Sequence, residues 1–565
     1  MNTRKLLALL LAVMMTLSFG AVSFGEDAAA DAADDTYVGA PEEDYTGKTV
    51  ILHTNDVHGA VTGYAQVSFL KKDFEAKGAE VLLVDAGDFS QGSPYVSSSK
   101  GEAAVTMMNA AGYDIVTLGN HEFDYGYAQL MANLEKANFV AICADVYLDE
   151  TGDTIVPAGC IYTTASGVEI GFFGMETPET ATKVNPGLIK EISFATFGDL
   201  YSSAQDAIDS LKEGGSDLVI GLVHLGIDEE SAVNGYRSVD LYANVTGVDM
   251  LIDGHSHTVM DKGENGEPIA STGTAFAYVG VVVIDDATKT IEENYLLSTA
   301  DMGFDAEVEA AASALISEVD AAYGAVFATS EVELCGDKAP GNRTQETNLG
   351  DLIVDALVWK VLKEGGDEQF EINQVVGITN GGGIRAPIGI GDVTMNDIHT
   401  VLPFGNTVAV IYVTGTELLE ALEASTFCTP DAIGAYPQTS GIVWTLDTTV
   451  PYDQGDLYIV GGKETTYYAP ASIKRVSIES VNGLPFDINA TYAVVTNNFC
   501  AAGGDTYAVF NRAYEEGSGF DTGVPMDEAV MEYIEEVLGG VIGEDYAEPR
   551  GSQTQILEAA ADAAA

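Results

Sequence analysis

The chain has 565 residues, too many for one compact core, and its 46% hydrophobic and 9% aromatic content excludes a disordered or collagen-like polymer. Lys and Arg number 24 against 87 Asp and Glu, a formal charge of −63, which excludes a general binder of nucleic acid polymers or anionic membranes. Any anion site must therefore be made locally positive by metals or by a few well-placed arginines.

In chain order, Arg4 and Lys5 precede an apolar run over residues 6–19, followed by small residues around Ala21, Ser23 and Gly25. This charge, apolar, small layout is that of a secretory signal peptide over residues 1–25, cleaved near Gly25. The apolar run is short for a spanning helix, which needs about 20 residues. Secretion to an extracytoplasmic space is the expected localisation. Residues 26–47 are rich in Asp, Ala and Glu and read as an acidic linker. From 48 to 300, short β-branched runs at 50–52, 81–84, 115–118, 218–220 and 250–252 alternate with helical patterns, as buried strands of an α/β domain do. Residues 301–328 form a linking region, with an Ala-rich helix over 305–323. A second α/β domain follows over 329–550, with glycine-rich turns at 381–383 and 503–504. Residues 551–565 read as a low-complexity tail without an apolar anchor, so no stable membrane anchor is expected. Five scattered cysteines exclude a disulfide scaffold, and their odd number leaves at least one thiol free or intermolecular.

The seven histidines are the most informative residues. Strand 50–52 leads into His53-Thr54-Asn55-Asp56-Val57-His58-Gly59, and strand 81–84 into Asp85-Ala86-Gly87-Asp88. Strand 115–118 leads into Gly119-Asn120-His121-Glu122, the fourth into His224, and the fifth into Asp253-Gly254-His255-Ser256-His257. Each cluster follows the carboxyl end of a strand, the edge at which open α/β sheets place their sites. A single strand-end Asp or His is ordinary turn chemistry. Five such ends carrying most of the chain's histidines point instead to a metal site. Asp56, His58, Asp88, Asn120, His224, His255 and His257 are carboxylate, amide and imidazole donors, which suit zinc, manganese, iron or cobalt, zinc or manganese foremost, rather than a structural thiolate site or a calcium loop. Seven donors are enough for two divalent ions if Asp88 bridges. Such a pair would activate a water and neutralise phosphate oxygens. His53 lies on the strand side of its motif and reads as structural.

This constellation resembles the calcineurin-like metallophosphoesterases. The resemblance implies that Asp56, His58, Asp88 and His257 hold one ion and that Asp88, Asn120, His224 and His255 hold the other. His121 is then similar to the family's catalytic imidazole, kept protonated and oriented by Asp124. Metal-bound hydroxide would attack phosphorus directly.

In the second half, Arg343 opens a Glu346-x-Asn348-x-Gly350 motif, and Asn380-Gly381-Gly382-Gly383-Ile384-Arg385 joins a glycine turn to an arginine. Three glycines allow close backbone approach and exposed N–H donors, and Arg can fork onto phosphate. Phe404 and Phe499 each stand beside a glycine-rich turn; as a pair they could sandwich a heterocycle, or they could be two core residues. These segments occur in the order found in the bacterial UDP-sugar hydrolase/5′-nucleotidase family, a resemblance spanning about residues 48–550. It implies an α/β fold (α+β overall): an N-terminal four-layer α/β/β/α metallophosphoesterase domain, a linking helix, and a C-terminal α/β substrate-binding domain. It also implies that Phe404 and Phe499 clamp the base of a nucleotide substrate, and that Asp505 holds the ribose. Arg343, Asn380 and Arg385 would contact base or phosphate, with Gly382 and Gly383 in the turn. The expected reaction is hydrolysis of nucleoside 5′-monophosphates. UDP-sugars or 2′,3′-cyclic nucleotides remain alternative substrates, and a surface nucleotide-binding protein without turnover remains an alternative of another class.

Overall fold

The structure is a computed structural model describing residues 39–557, except 43, 185–187, 233, 365–373 and 516–517. The expected signal peptide, most of the acidic linker and the last eight residues lie outside the described residues. None of the described helices is long and apolar enough to cross a membrane.

The N-terminal half stacks two six-stranded sheets. One runs in the order Thr290–Ser298, Tyr278–Asp285, Lys48–Thr54, Glu80–Asp85, Ile115–Thr117, Val140–Ile142. The other runs Val259–Met260, Ile269–Thr272, Met250–Ile252, Leu218–His224, Glu169–Glu176, Gly159–Thr163. Their facing surfaces meet in one buried core, with Ile51, Leu82, Val84 and Ile115 against Phe172, Ile220, Leu222 and Ile252. Helices Gly63–Ala76 and Glu102–Ala111 cover the outer face of the first sheet through Val50, Leu52 and Leu83. Helices Gly198–Glu213 and Ser238–Asn244 cover the second through Phe173, Val219 and Leu251. The result is the expected α/β/β/α layering. The central strands are parallel and covered on both faces, which is why they read as continuous apolar runs rather than as alternating ones.

The linking helix spans Ala306–Tyr323. Asp305 caps it, its carboxylate accepting Glu307 N at 2.9 Å and Val308 N at 3.3 Å. Val308 and Ala312 are buried in the N-terminal core, so the helix packs as part of the outer layer of the first sheet. Beyond it lies a five-stranded sheet in the order Pro437–Ser440, Val375–Asn380, Thr491–Asn497, Thr407–Thr414, Gly519–Pro525. Helices Asn348–Glu364 and Met526–Glu536 cover one face, while Gly415–Ala424, Ala508–Glu515 and Trp444 cover the other.

Two boundaries differ from those read in the sequence. Residues 553–556 form the strand Gln553–Ile556, parallel to Ile442–Asp447, and Glu346 accepts the N–H groups of Gly551 at 2.9 Å and Ser552 at 3.1 Å. The second body therefore extends past Arg550; an edge strand held through its backbone needs no apolar signature. At the other end Tyr45 is buried, its ring 4.8 Å from that of Phe74, so the chain is already folded before Lys48.

His53 is structural, as expected. It pairs in register with Gly280, where any side chain would collide with the imidazole. The ring is fully buried, neither nitrogen has a hydrogen-bond partner, and burial lowers its pKa to about 3. An unfolded chain takes up a proton here below about 6.5, whereas the folded chain does not until about pH 3. The resulting stability is complete above about 6.5 and is lost as pH falls, by up to about 1.4 kcal/mol per pH unit. His53→Leu should make the acid limb of urea-unfolding stability, measured in EDTA, shallower by about one proton; an unchanged slope refutes this assignment.

Candidate metal and substrate site

The parallel registers Thr54↔Asp85, Asp85↔Val116 and Ile252↔Leu222 bring the strand ends to one edge of the stacked sheets. Five loops leave that edge, and they bring together all seven donors named from the sequence. Asp88 is central. Its Oδ2 lies 3.1 Å from His224 Nε2, 3.8 Å from His58 Nε2 and 3.9 Å from His121 Nε2. Asp56 Oδ1 lies 3.5 Å from His257 Nε2 and 3.9 Å from both His58 Nε2 and His224 Nε2. His58 Nε2 and His257 Nε2 are 3.0 Å apart, and His255 Nδ1 is 2.9 Å from Asn120 Oδ1.

The backbone is forced at these positions. Asp56, His58, Asp88, His255 and His257 have φ of 50°, 47°, 65°, 73° and 56°, in the left-handed region that costs non-glycine residues about 1–3 kcal/mol each. Buried acceptors hold the loops in place. Glu122, present in the third motif but given no role in the sequence reading, accepts N–H from Gly119 at 2.7 Å, Asp88 at 2.8 Å, Ser90 at 2.9 Å and Phe89 at 3.0 Å. It thereby joins the second loop to the third. Asp253 accepts N–H from Gly226 at 3.0 Å and Leu225 at 3.1 Å, joining the fourth to the fifth. At Gly87 (φ 93°) a Cβ would meet the backbone of Gly119 and the ring of His224.

The donor set fits divalent cations. His224 Nδ1 donates to Ala86 O at 2.6 Å, which turns the buried Nε2 toward the Asp88 carboxylate 3.1 Å away. His255 Nε2 donates to Glu179 Oε2 at 3.2 Å, which turns Nδ1 toward the Asn120 carbonyl oxygen 2.9 Å away. Metal-ligating histidines characteristically donate their other N–H in this way. The gathered oxygens and imidazole nitrogens call for positive charge among them, and the titration directions agree. Burial opposes charge on His224, yet Asp88, Asp56 and Glu176 raise its pKa well above the ordinary value. Burial likewise raises Asp56 to about 7.

His121 Nδ1 lies 2.7 Å from Asp124 Oδ2. The protonated ring expected there is disfavoured without substrate: burial lowers His121 to about 3 and Arg385 acts in the same direction, against Asp88. Burial also raises the Asp124 carboxyl well above its ordinary value, so one proton shared between Nδ1 and Asp124 serves the pair, while Nε2 faces Asp88.

The second half closes over this edge, forming one cleft of about 150 Å³. Asp88, Asn120, His121, His255 and His257 of the first half line it together with Arg343, Asn380, Arg385, Phe404, Phe499 and Asp505 of the second. Asn380 ends one strand and Asn498 follows its parallel neighbour, so these turns too leave a common sheet edge. Lys183 and Lys338 also line the cleft and were not found from the sequence, because isolated lysines carry no motif. The glycine turn differs from expectation. Gly381 N–H is bonded to Tyr436 O at 2.7 Å and Gly382 N–H to Gly434 O at 2.8 Å, so the turn, with Gly382 and Gly383 in the wall, gives close backbone packing rather than free donors from those two groups. Asn380 donates to Asp505 Oδ2 at 3.0 Å and accepts from Asn497 at 3.0 Å, so its amide positions Asp505. Phe404 stacks on His121, with centroids 5.6 Å apart, and carries the Arg385 guanidinium 5.7 Å from its ring. Phe499 is packed in the core of the second half and reaches the cleft with one face.

Comparison with known proteins agrees with this division. Residues 49–259 match the calcineurin-like phosphoesterase family, and residues 326–512 match the 5′-nucleotidase C-terminal domain. A trifunctional nucleotide phosphoesterase protein of Bacillus subtilis is 30% identical over 84% of this chain, which spans only 33% of that protein's length. The 5′-nucleotidase of Vibrio cholerae is 27% identical over 87% of this chain and 91% of its own. The crystal structure of a 5′-nucleotidase precursor from Thermus thermophilus superposes with a TM-score of 0.74 at 28% identity, covering 91% of this chain and all of that one. With its paired domains, its cage of facing donors and these relatives, the chain joins a calcineurin-like phosphoesterase domain to a 5′-nucleotidase C-terminal domain and is a metal-dependent phosphoester hydrolase.

Proposed function

We propose that this enzyme is exported and releases nucleoside and phosphate from nucleoside 5′-monophosphates, using two divalent ions. One observation carries the reading: a single cleft joins the donor cage to a wall of arginines, aromatic rings and a buried carboxylate. Asp56, His58, Asp88 and His257 would hold one ion, and Asp88, Asn120, His224 and His255 the other. Such ions polarise phosphoryl oxygens and lower the pKa of an attacking water. No hydroxyl or thiol side chain is among the described residues lining the cleft, which supports water over a hydroxyl or thiol as nucleophile. Arg343 and Arg385 attract the phosphate that the surface charge of −63 repels at long range. A phosphate dianion beside His121 offsets the burial that keeps the ring neutral. The ring then donates Nε2–H to the phosphoryl or leaving oxygen while Asp124 retains Nδ1–H. Phe404 and Phe499 flank the base, and Asp505 accepts from the ribose hydroxyls. Export is supported by the leader reading and by relatives found in snake venom, which are 28% identical.

Added Mn²⁺ or Zn²⁺ should support phosphate release from AMP, and a chelator should abolish it; chelator-resistant turnover would sink the reading. His121→Asn should lower kcat by about 10²-fold or more, the scale of a lost charge stabiliser, with an unchanged kcat removing His121 from the chemistry. Phe499→Ala should reduce kcat/KM for AMP by about 5- to 150-fold, the equivalent of about 1–3 kcal/mol of stacking. Hydrolysis of a small aryl phosphate should change little in that variant, and equal losses on both substrates would discard the stacking role.

A further inference from the structure

Between the second sheet and the cleft runs a segment that the two-ion reading leaves unused. The strand Glu169–Glu176 lies parallel to Leu218–His224, with Glu176 level with His224, and then turns into the short helix Thr180–Lys183. The turn is tied to itself. Thr177 N donates to Glu176 Oε2 at 2.8 Å, the Thr180 hydroxyl to Glu176 Oε1, and Glu179 N to Thr177 Oγ1 at 3.3 Å. Glu179, only 2% exposed, is thus delivered at a set height beneath the fifth loop, where its Oε2 lies 3.2 Å from His255 Nε2. The same oxygen lies 3.9 Å from Lys183 Nζ, and Lys183 faces the ring of Tyr467 in the second half at 5.9 Å.

Imidazole has two nitrogens, and either could carry the proton or turn toward Asn120. His255 sits on a left-handed backbone in a loop with little regular structure, so its own loop does not decide between them. We propose that Glu179 is a positioning residue for the metal centre: by accepting Nε2–H it sets the tautomer and ring angle that present the His255 Nδ1 lone pair beside Asn120. This inference rests on the two-ion reading. It adds that one ligand owes its geometry to a residue outside the donor set, on a segment that also presents Lys183 to the cleft.

The test is calorimetric titration of the metal-free full chain with MnCl₂ alone, with thermal unfolding of each metal-free variant as the check on folding. Wild type should bind two ions. Glu179→Leu, which removes the acceptor, should weaken one of the two sites by 10- to 100-fold. Glu179→Gln, whose amide oxygen can still accept Nε2–H, should stay within about threefold of wild type. Glu179→Asp draws the carboxylate back by one methylene and should weaken the same site by at least tenfold; it serves as the loss variant if the leucine variant does not fold. A role through charge alone predicts the reverse order, with Asp retaining affinity and Gln losing it, and that order overturns the proposal. So does wild-type affinity in the leucine variant. A wild-type chain that binds no Mn²⁺ would overturn the metal centre itself, a separate and recognisable failure.

Discussion

The structure depends on one electrostatic constraint: carboxylate, carbonyl and imidazole groups gathered in a buried space that calls for positive charge. The Asp88 carboxylate faces Nε2 of His224, whose Nδ1–H is committed to the other side of the ring, and Nδ1 of His255 faces the Asn120 carbonyl in the same way. Such an arrangement is unfavourable in a low-dielectric interior unless positive charge lies between the groups. The second hydrogen bond on each imidazole determines where its lone pair points.

Holding that constraint requires a rigid frame, and the stacked sheets provide it. Five donors sit on left-handed backbone, a strained choice that persists only where the surroundings over-determine it. The surroundings are the registered parallel strands beneath and the buried carboxylates of Glu122 and Asp253, which bind one loop to the next through backbone N–H groups. Substrate-side groups are placed by similar means. Asn380 and Asn497 sit at the ends of adjacent parallel strands; Asn497 donates to the Asn380 amide, which in turn donates to Asp505.

The excess of acidic residues and the chemistry of the cleft are opposed, and their separation in space reconciles them. Lys183, Lys338, Arg343 and Arg385 line the cleft, four of the chain's few cations set among Asp88, Asp124, Asp228 and Asp505. Beyond roughly 8 Å, salt screens the surrounding field, so a ligand at the mouth experiences chiefly these cleft groups.

Much of this was legible in the chain. Buried parallel strands announce themselves as apolar runs, and a functional loop after each strand displays its histidines and carboxylates in order; the helix cap at Asp305 is equally local. The sequence alone carried the residues that converge at the sheet edge, the presence of two α/β parts and the acidity, because these depend on residue type and near-neighbour spacing. Tertiary structure decided the rest. It decided which imidazole nitrogen faces inward, that Glu122 and Glu179 serve loops far from them in sequence, and that the glycine turn packs against Gly434 and Tyr436. It also decided that Phe404 lies on His121, and that Gln553–Ile556 completes a sheet. Each of these depends on distances between segments tens to hundreds of residues apart, which only the packed sheets can set.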